Sequence, residues 1–317
     1  MLVLNWYLKA PIMTDQPHPP ILPRITSHAM AWFVGFDGGG THTRARLATR
    51  DGAVVGQGEA GPSALGQGVP QAWRHLGQAL AAAAADAGVP TPAWRDCAVG
   101  AGLSGARLPT QARAFMDADP GCGALQLDTD GYAGVLGAHG GAPGMLLVGG
   151  TGSVCEALRA DGSRACAGGW GWRLGDEGSG AWIGRQAVRH AQRALDGRDA
   201  AGPLAEAVWQ AIGGDAVSML TWCAGADQRA FAALAPMVFA HDEQDPRARA
   251  LLQRAADELA SLALALDPLQ QLPLAVAGGV AERLVARWPE GLRSRCVAPQ
   301  ADAASGALMM IRREVAP

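Results

Sequence analysis

The chain has 317 residues, of which 49% are hydrophobic and 17% are charged, and its formal net charge is −3. Such values describe a folded protein long enough for two domains, and they exclude the broad basic surface of a nucleic-acid-binding protein. Lys9 is the only lysine, which excludes a Gly-Lys-Ser/Thr phosphate loop and the strand lysine of a protein kinase, and argues against Schiff-base chemistry.

The N-terminal stretch and the cysteines indicate local order and cellular compartment rather than chemistry. Residues 1–30 hold five prolines among polar residues and no secretory signal, so we predict a poorly ordered extension. The six cysteines lack Cys-x-x-Cys spacing, which is typical of free thiols in a cytoplasmic protein. No apolar run approaches the ~20 residues that span a bilayer.

Apolar runs and turn residues predict an α/β domain over residues 31–140. Three strands come first, then a loop, an alanine-rich helix that ends before Gly88, and an alternation of strands and helices. The resulting order is β-β-β-α-β-α-β-α. The predicted strands span 31–37, 41–49, 53–59, 97–101 and 124–127, and the predicted helices span 71–87, 109–117 and 131–139.

A glycine-rich turn, Asp37-Gly38-Gly39-Gly40-Thr41, joins the first two strands and is too tight for bulky side chains. Its backbone N–H groups can form a nest for an anion, and the hydroxyls of Thr41 and Thr43 can add donors. Asp37 can hold a hydrated Mg²⁺ against the same anion, as the phosphates of ATP would require. A plain hairpin turn with a surface aspartate has the same sequence, so the turn alone does not decide.

The same arrangement recurs about 110 residues later. A strand at 145–148 leads into Gly149-Gly150-Thr151-Gly152-Ser153, and a strand at 154–159 ends before the hairpin signal Asp161-Gly162. Internal repetition is a stronger signal than either glycine turn alone. We therefore predict a second domain of like architecture at 141–317, and we expect each domain to bring one phosphate nest to a shared cleft.

A glycine-rich loop follows at 167–180, with two tryptophans and the acidic pair Asp176 and Glu177. Such a loop suits polyols, because one carboxylate accepts hydrogen bonds from two hydroxyls. The alternative is a structured interdomain loop in which the two acidic residues cap the helix predicted at 181–195.

The rest of the chain is largely helical over 203–266, until a buried strand at 272–277 enters Gly278-Gly279 and a helix at 281–288. This glycine pair would let a flat ring approach the backbone, which suits adenine or ribose, although such pairs also occur as plain tight turns. A closing helix is predicted at 301–313.

Four of these motifs stand in one order, at 36–43, 150–153, 168–178 and 277–280. In this order the chain resembles the N-acetylglucosamine kinase branch of the BadF/BadG/BcrA/BcrD ATPase family, within the actin, sugar kinase and heat-shock-protein-70 superfamily. The resemblance implies two ribonuclease-H-like (actin-like ATPase) α/β domains of repeated βββαβαβα type with an interdomain cleft. It also implies a helical insertion in the second domain and a cytoplasmic homodimer.

The resemblance implies roles for individual residues as well. Asp37 matches the aspartate that handles Mg²⁺, and Asp130 falls where the family places its catalytic aspartate, while Asp128 is a competing carboxylate. The positions that match nucleotide-binding ones are Gly38, Gly39, Gly40, Thr41 and Thr43 in the first turn, Thr151, Gly152 and Ser153 in the second, and Gly278 and Gly279. Those that match sugar-binding ones are Asp130, Gly152, Gly169, Asp176 and Glu177.

The leading hypothesis is therefore a kinase that uses ATP and Mg²⁺ to convert N-acetylglucosamine to its 6-phosphate. The loop at 61–68 lacks the asparagine of many sugar-binding members, which keeps a kinase for glucosamine or another hexose as an alternative. An ATPase activator of acyl-CoA dehydratases would need cysteines beside the phosphate loops, and none stands at 147–149. A non-catalytic sugar sensor is the third alternative, against which intact Asp37, Thr41 and Asp130 argue.

Overall fold

A computed structural model of the chain describes residues 23–25 and 30–315. Its strands and helices, in chain order, are β1 (Arg24–Ile25), β2 (Trp32–Gly38), β3 (Thr43–Thr49), β4 (Val54–Ala60), α1 (Val69–Asp86), β5 (Cys97–Leu103), α2 (Pro109–Asp117), β6 (Ala124–Asp128), α3 (Asp130–Ala138), β7 (Gly144–Gly149), β8 (Ser153–Leu158), β9 (Arg164–Gly168), α4 (Gly180–Leu195), α5 (Pro203–Ile212), α6 (Ala216–Gly225), α7 (Gln228–Ala232), α8 (Ala235–Ala240), α9 (Pro246–Leu266), β10 (Leu274–Ala277), α10 (Gly279–Leu284), α11 (Glu290–Arg293), β11 (Cys296–Val297) and α12 (Ala303–Val315).

Most of the extension predicted to be poorly ordered lies outside the described residues. Within it, however, β1 pairs antiparallel with β6, so this part of the extension belongs to the first sheet. All six cysteines are free, as predicted. In the described part of the chain, no helix is both long enough and apolar enough to cross a bilayer.

The chain forms two compact units. The first contains the described residues up to Gly144, Glu156–Ala165 and those from Ala298 onward; the second contains Met145–Cys155 and Cys166–Val297. The predicted domain boundary after residue 140 stays a prediction, and the units differ from it in the tip of the β8–β9 hairpin and in α12. Helix α12 groups with the first unit because Leu308 and Ile311 pack against Phe33 of β2.

The first unit is built on the six-stranded sheet β1-β6-β5-β2-β3-β4. Its strand β5 is buried at every position, as expected for a parallel strand covered on both faces. Helix α1 covers one face with Leu76 and Leu80, and α12 covers the other. Gly35 lets α12 approach, because a Cβ there would lie 2.1 Å from the carbonyl oxygen of Ala304. The predicted order of three strands followed by α-β-α-β-α is confirmed.

The second sheet has the order β11-β10-β7-β8-β9. Strands β7 to β9, followed by α4, repeat the beginning of the first unit, in which β2 to β4 are followed by α1. Helices α5 to α9 lie between α4 and β10 in the chain, and their assignment as an insertion in the second domain stays a prediction. The repeated α/β architecture is therefore present in the fold, and the two glycine turns occupy the same place in each repeat.

Candidate active site

Three parallel strands of the first unit end at the same edge of the sheet. Strand β2 ends at Gly38, β5 at Leu103 and β6 at Asp128. In the register, Gly102 of β5 pairs with Asp37 of β2 on one side and with Asp128 of β6 on the other. The carboxyl ends of parallel strands are where open α/β sheets bind ligands. Two carboxylates therefore flank a glycine at the edge where a ligand is expected.

Asp130 is the first residue of α3 and follows this edge directly. Thr129 caps the helix by accepting the backbone N–H of Tyr132 at 3.1 Å. The Asp130 carboxylate accepts the N–H of Gly131 at 3.0 Å, and it forms no salt bridge with the residues that the structure describes. Burial raises the pKa of Asp130. A carboxylate with a raised pKa and no cation partner is well suited to accept a proton.

Asp128, the competing carboxylate, is neutralised by an arginine. Arg164 of β9 donates from Nη1 and Nη2 to the two Asp128 oxygens, at 2.8 and 2.7 Å. Asp128 also accepts the backbone N–H of Thr129 at 2.7 Å, and the Arg164 guanidinium lies 3.4 Å from the centre of the Tyr132 ring. Because Arg164 and Thr129 occupy both oxygens of Asp128, the geometry favours Asp130 as the proton acceptor.

Asp37, at the end of β2, is partly buried. Burial and, after it, the negative charge of Asp130 raise the pKa of Asp37 to about 6, although Arg44 and Arg46 oppose the shift. A divalent cation would relieve this repulsion, and oxygen atoms are the ligands that Mg²⁺ prefers. Among the described residues, no group of three or more His, Cys, Asp or Glu side chains could hold a metal ion. The residues thus fit an Mg²⁺ held mainly by water and phosphate oxygens, with Asp37 beside it.

The turn after β2 is anchored by the loop that follows β4. The N–H of Gly39 donates to the carbonyl of His42 at 3.1 Å, so this amide is committed within the protein. The N–H groups of Ser63 and Ala64 both donate to the carbonyl of Gly39 at 3.1 Å. Thr41, at the tip, is exposed. The outward-facing part of the predicted anion nest is therefore the tip of the turn rather than its base.

The hydroxyl of Thr43 does not face the turn, contrary to prediction. Thr43 is fully buried, its hydroxyl donates to the carbonyl of Gly61 at 2.7 Å, and it lies 2.7 Å from the hydroxyl of Ser63. Ser153, at the equivalent start of β8, is also buried and donates to the carbonyl of Glu177 at 2.8 Å. A hydroxyl has one hydrogen to donate. The prediction that Thr43 donates to a phosphate is thus wrong. The hydroxyl and the N–H of Ser153 are both engaged within the protein, the N–H with Asp176, and the phosphate contact predicted for Ser153 stays a prediction.

The turn after β7 is anchored by the start of α4. The N–H of Gly150 donates to the carbonyl of Gly152 at 3.0 Å. The amides of Gly180 and Ala181 donate to the carbonyls of Gly150 and Thr151 at 2.8 and 3.2 Å. Thr151 is exposed, as Thr41 is in the first turn. Both turns therefore present a threonine on a backbone that the rest of its unit holds in place.

In three glycine pairs, the first glycine is tightly packed and the second borders open space. The pairs are Gly38-Gly39, Gly149-Gly150 and Gly278-Gly279. A Cβ at the first glycine of each pair would lie 2.0 Å from Ser63 Oγ, 2.8 Å from Ala281 Cβ and 2.5 Å from the Gly149 carbonyl oxygen, respectively. A Cβ at the second glycine of each pair would meet no atom within 4 Å. The first glycine thus allows the chain to pack, while the second leaves backbone that a ligand could approach. The nucleotide contacts predicted for Gly38, Gly39, Gly278 and Gly279 stay predictions.

Asp176 fixes the glycine-rich loop to the second turn. It is 4% exposed, and its φ of 55° lies in the left-handed region, which aspartate tolerates better than most residues. Its carboxylate accepts the N–H groups of Ser153 and Gly171 and the side-chain amide of Gln228, the last at 3.0 Å. Burial raises the pKa of Asp176, while the two backbone donors oppose the shift. Its predicted sugar contact stays a prediction, and the helix is capped by Ser179 instead.

Part of this loop is exposed. Gly169 lies at the surface, where its N–H donates to the carbonyl of Ser153 at 2.9 Å, and Glu177 is partly buried. Trp170 is 66% exposed and Leu174 is 82% exposed. Large apolar side chains on an exposed glycine-rich loop are typical of a ligand-binding surface. The loop therefore combines a fixed carboxylate at its base with exposed apolar groups at its surface.

Glu156 of β8 is a candidate that the sequence analysis missed. Its Oε1 accepts the hydroxyl of Thr129 at 3.2 Å, directly beneath the start of α3. Burial raises the pKa of Glu156 to about 7; the charge of Arg164 opposes this shift and those of Asp130 and Asp128 add to it. The sequence contains one sign of this candidate, a carboxylate within a mostly apolar strand. The residues that contact Glu156 lie far away in the sequence, so their contact could not be predicted.

Comparison with known proteins agrees with this geometry. A model of the BadF/BadG/BcrA/BcrD ATPase family matches residues 34–310, which include both turns and all of the acidic residues described above. The chain belongs to this family. Among solved structures, a family relative from Chromobacterium violaceum, provisionally named an N-acetylglucosamine kinase, has 45% identity and a TM-score of 0.85, covering 89% of this chain and 99% of that one. This match confirms the predicted two-domain actin-like ATPase fold.

Two curated proteins resemble this member of the BadF/BadG/BcrA/BcrD family in sequence. The glucosamine kinase GspK of Vibrio cholerae serotype O1 is 32% identical over 281 residues, which are 88% of this chain and 95% of that protein. An N-acetylmuramic acid/N-acetylglucosamine kinase of Clostridium acetobutylicum is 28% identical over 173 residues, which are 53% of this chain and 56% of that protein. Both names describe kinases that act on amino sugars.

Proposed function

We propose that this protein transfers the terminal phosphoryl group of ATP to an amino sugar, N-acetylglucosamine, and forms the 6-phosphate. The observation that carries the proposal is Asp130, a carboxylate without a salt bridge, beside Asp37 at the strand edge and in the same unit as a glycine turn. Phosphoryl transfer requires positioned reactants, neutralised phosphate charge and a group that accepts the hydroxyl proton. The names of the relatives support a sugar kinase.

In this proposal Asp130 accepts the proton of the attacking sugar hydroxyl. Burial makes its carboxylate a stronger base than an exposed aspartate, while Arg164 occupies both oxygens of Asp128. Asp37 would hold Mg²⁺ through water, and the bound ion would supply positive charge against the phosphate oxygens. The metal-binding carboxylate thus comes from β2 and the base from the start of α3, which follows β6, and β5 lies between these two strands in the sheet.

The second unit supplies binding in this proposal. Its exposed Thr151 and the open space at Gly279 support nucleotide contacts. The exposed loop with Gly169 and Trp170 supports contacts with the sugar ring. Polar groups fix a sugar's orientation, and an aromatic face packs on its C–H bonds. Substitutions in each unit can therefore test its proposed role separately.

Glucosamine is the second candidate substrate, and two observations favour it. The relative that this chain matches over 95% of its length is named a glucosamine kinase. The loop at 61–68 has no asparagine, and the amides of Ser63 and Ala64 are bonded to Gly39 rather than available to an acetamido group. A pocket without a partner for the acetamido oxygen would lose affinity for the acetylated sugar.

The deciding experiment measures ADP release from Mg²⁺-ATP with N-acetylglucosamine, glucosamine, glucose or no sugar. Release that depends on one amino sugar is expected, and phosphorus NMR of the product then identifies the phosphorylated hydroxyl. The Asp130→Asn variant serves as the matched control, because it should lose sugar-dependent release only. Release without sugar, or none with any sugar, would contradict the proposal and point to the ATPase or sensor alternatives.

We also propose that the protein is a homodimer. Helix α6 contains no charged residue, and Val217 and Leu220 on it are 74% and 71% exposed. An apolar helix face of this kind is typical of an interface between subunits. Light scattering should give the mass of a dimer for the wild type and of a monomer for Leu220→Glu. A dimeric variant, or a monomeric wild type, would contradict this part of the proposal.

A further inference from the structure

A cavity of about 430 Å³ lies in the second unit, between one face of α4 and one face of α9. Arg189, His190 and Arg193 line it from α4, and Arg247 and Arg254 line it from α9. The α9 arginines stand seven residues apart, which places them on the same face of the helix. None of these residues belongs to the candidate active site. We call this group of five residues the arginine cavity.

The charges around the arginine cavity are unbalanced. Arg193 is paired with Asp199, from Nε to Oδ2 at 2.7 Å and from Nη2 to Oδ1 at 3.1 Å. Arg189, Arg247 and Arg254 form no salt bridge with any residue that the structure describes, and Arg254 lies 5.4 Å from the Trp182 ring. Like charges that line one cavity repel one another. An anion between the two helices would relieve that repulsion.

Asp199 lines the cavity and is paired with Arg193, and a second carboxylate of this region, that of Asp245, is also engaged. It precedes α9 and accepts the backbone N–H groups of Leu204 at 2.9 Å and of Arg247 at 2.8 Å. It therefore caps the helix instead of pairing with a guanidinium. The cavity thus presents three guanidinium groups, those of Arg189, Arg247 and Arg254, that form no salt bridge with the described residues.

His190 is the second, independent sign of a missing ligand. Its Nε2 is buried and has no hydrogen-bond partner, and its Nδ1 lies 3.9 Å from Asp199 Oδ2. Burial and the charges of Arg247 and Arg193 lower the pKa of His190, while Asp245 and Asp199 oppose the shift. A buried polar atom without a partner is unfavourable, and native structures usually satisfy it. An anion beside Arg247 would both accept a hydrogen bond from Nε2 and favour protonation of the ring.

We propose that the arginine cavity binds a phosphorylated small molecule through its phosphate group. Guanidinium groups bind phosphate in a bidentate way, and three unpaired ones suit a dianion with three terminal oxygens. The cavity volume lies within the range of pockets that hold small metabolites. The site is distinct in residues from the glycine turns, so a ligand there would regulate the protein or stabilise the second unit rather than react.

The test is isothermal titration of the full chain with inorganic phosphate and, separately, with N-acetylglucosamine 6-phosphate. A non-hydrolysable ATP analogue is kept at saturation to occupy the nucleotide site. We expect a dissociation constant of about 1 mM or below for at least one probe. The double variant Arg247→Ala, Arg254→Ala should weaken it at least tenfold, and so should Arg189→Glu. Arg249→Ala should not, because Arg249 lies on the same helix and outside the cavity.

Three outcomes would overturn the proposal. They are no saturable binding by the wild type, equal binding by the wild type and both cavity variants, and an equal loss in Arg249→Ala. Thermal unfolding of each variant shows whether it is folded, and Arg189→Glu serves if the double variant is not. Preference between the two probes distinguishes a phosphate site from a sugar phosphate site. Sugar-dependent ADP release, measured on the same samples, tests the proposed kinase activity separately.

Discussion

The two glycine turns share a sequence pattern but differ in their surroundings. The turn after β2 belongs to the unit that contains Asp37 and Asp130, two carboxylates with raised pKa values. The turn after β7 is held by the first amides of α4, and it adjoins Asp176, whose carboxylate accepts three donors from the protein. Asp176 is held by three donors of the protein, whereas Asp130 forms no salt bridge with the described residues, so of these two carboxylates Asp130 is better placed for proton transfer.

This difference shows how two repeats of one fold can take different roles. The same strand-turn-strand unit forms a backbone suited to phosphate in both repeats, because tight glycine turns expose N–H groups. The side chains beside each turn decide whether that turn takes part in chemistry or in binding. We therefore assign the chemistry to the first unit and most of the binding to the second, and the following changes test that division.

The largest effect is expected for Asp130→Asn. Asparagine keeps the size of the side chain and can still accept the N–H of Gly131, but it cannot take the proton of a sugar hydroxyl. The kcat should fall by ~10²–10⁴, the typical contribution of a general base. Steady-state kinetics measure the loss, and the melting temperature should stay close to that of the wild type. Asp176→Asn should instead lower the melting temperature, and equal losses of kcat in both variants would refute the division.

The glycine pairs give the next largest effect. Gly278→Ala should destabilise the protein by about 1–3 kcal/mol, because a Cβ would lie 2.5 Å from the Gly149 carbonyl oxygen and φ is 92°. Gly279→Ala has space for its methyl group and should fold normally. It should raise KM for ATP about tenfold, since a blocked hydrogen bond to a charged group is worth about 1.5–3 kcal/mol. Chemical denaturation and kinetics on both variants make the comparison.

The two threonines of the first turn should respond in opposite ways. Thr43→Val removes a buried hydrogen bond to Gly61 and should cost about 1–2 kcal/mol of stability with little change in KM for ATP. Thr41→Val, at the exposed tip, should leave the stability unchanged and raise that KM. Urea unfolding and ATP titrations measure the two quantities. A rise in KM from Thr43→Val with unchanged stability would restore the phosphate role that the structure denies to Thr43.

The smallest effect concerns the pH dependence of stability. The folded-state pKa of Glu156, about 7, lies above its ordinary value of 4.5, so the folded state binds the proton more tightly. Stability is therefore lost as pH rises from about 4.5 to about 7. Glu156→Gln should remove a loss on the order of 1 kcal/mol, and its melting temperature should fall less than that of the wild type between pH 5 and pH 8.

Glu59→Gln is the matched control, because Glu59 is an exposed carboxylate on β4 that pairs with Arg44 at 3.4 Å. It should leave the pH dependence of the melting temperature unchanged. If Glu156→Gln behaves like this control, Glu156 is not the group that titrates near neutral pH in the folded protein.

Local signals predicted much of the fold. The bounds predicted for α2 coincide with Pro109–Asp117, and proline at the first helical position explains why the start was visible. Strand β9 was not predicted, because Arg164–Gly168 carries no alternation of apolar and polar residues. The helix predicted at 281–288 is shorter and begins earlier, as Gly279–Leu284, since tertiary packing outweighed propensity there.

The sequence by itself determined the two glycine turns, the repeat that relates them, and Asp37 and Asp130 as candidates. These features depend on residues adjacent in the chain, because turn geometry and strand ends are local properties. Only the tertiary structure decided that Arg164 neutralises Asp128, that Thr43 is buried and that Glu156 lies beneath the start of α3. The physical reason is that protonation and hydrogen bonding depend on neighbours in space, and here those neighbours come from a hairpin and a loop distant in sequence.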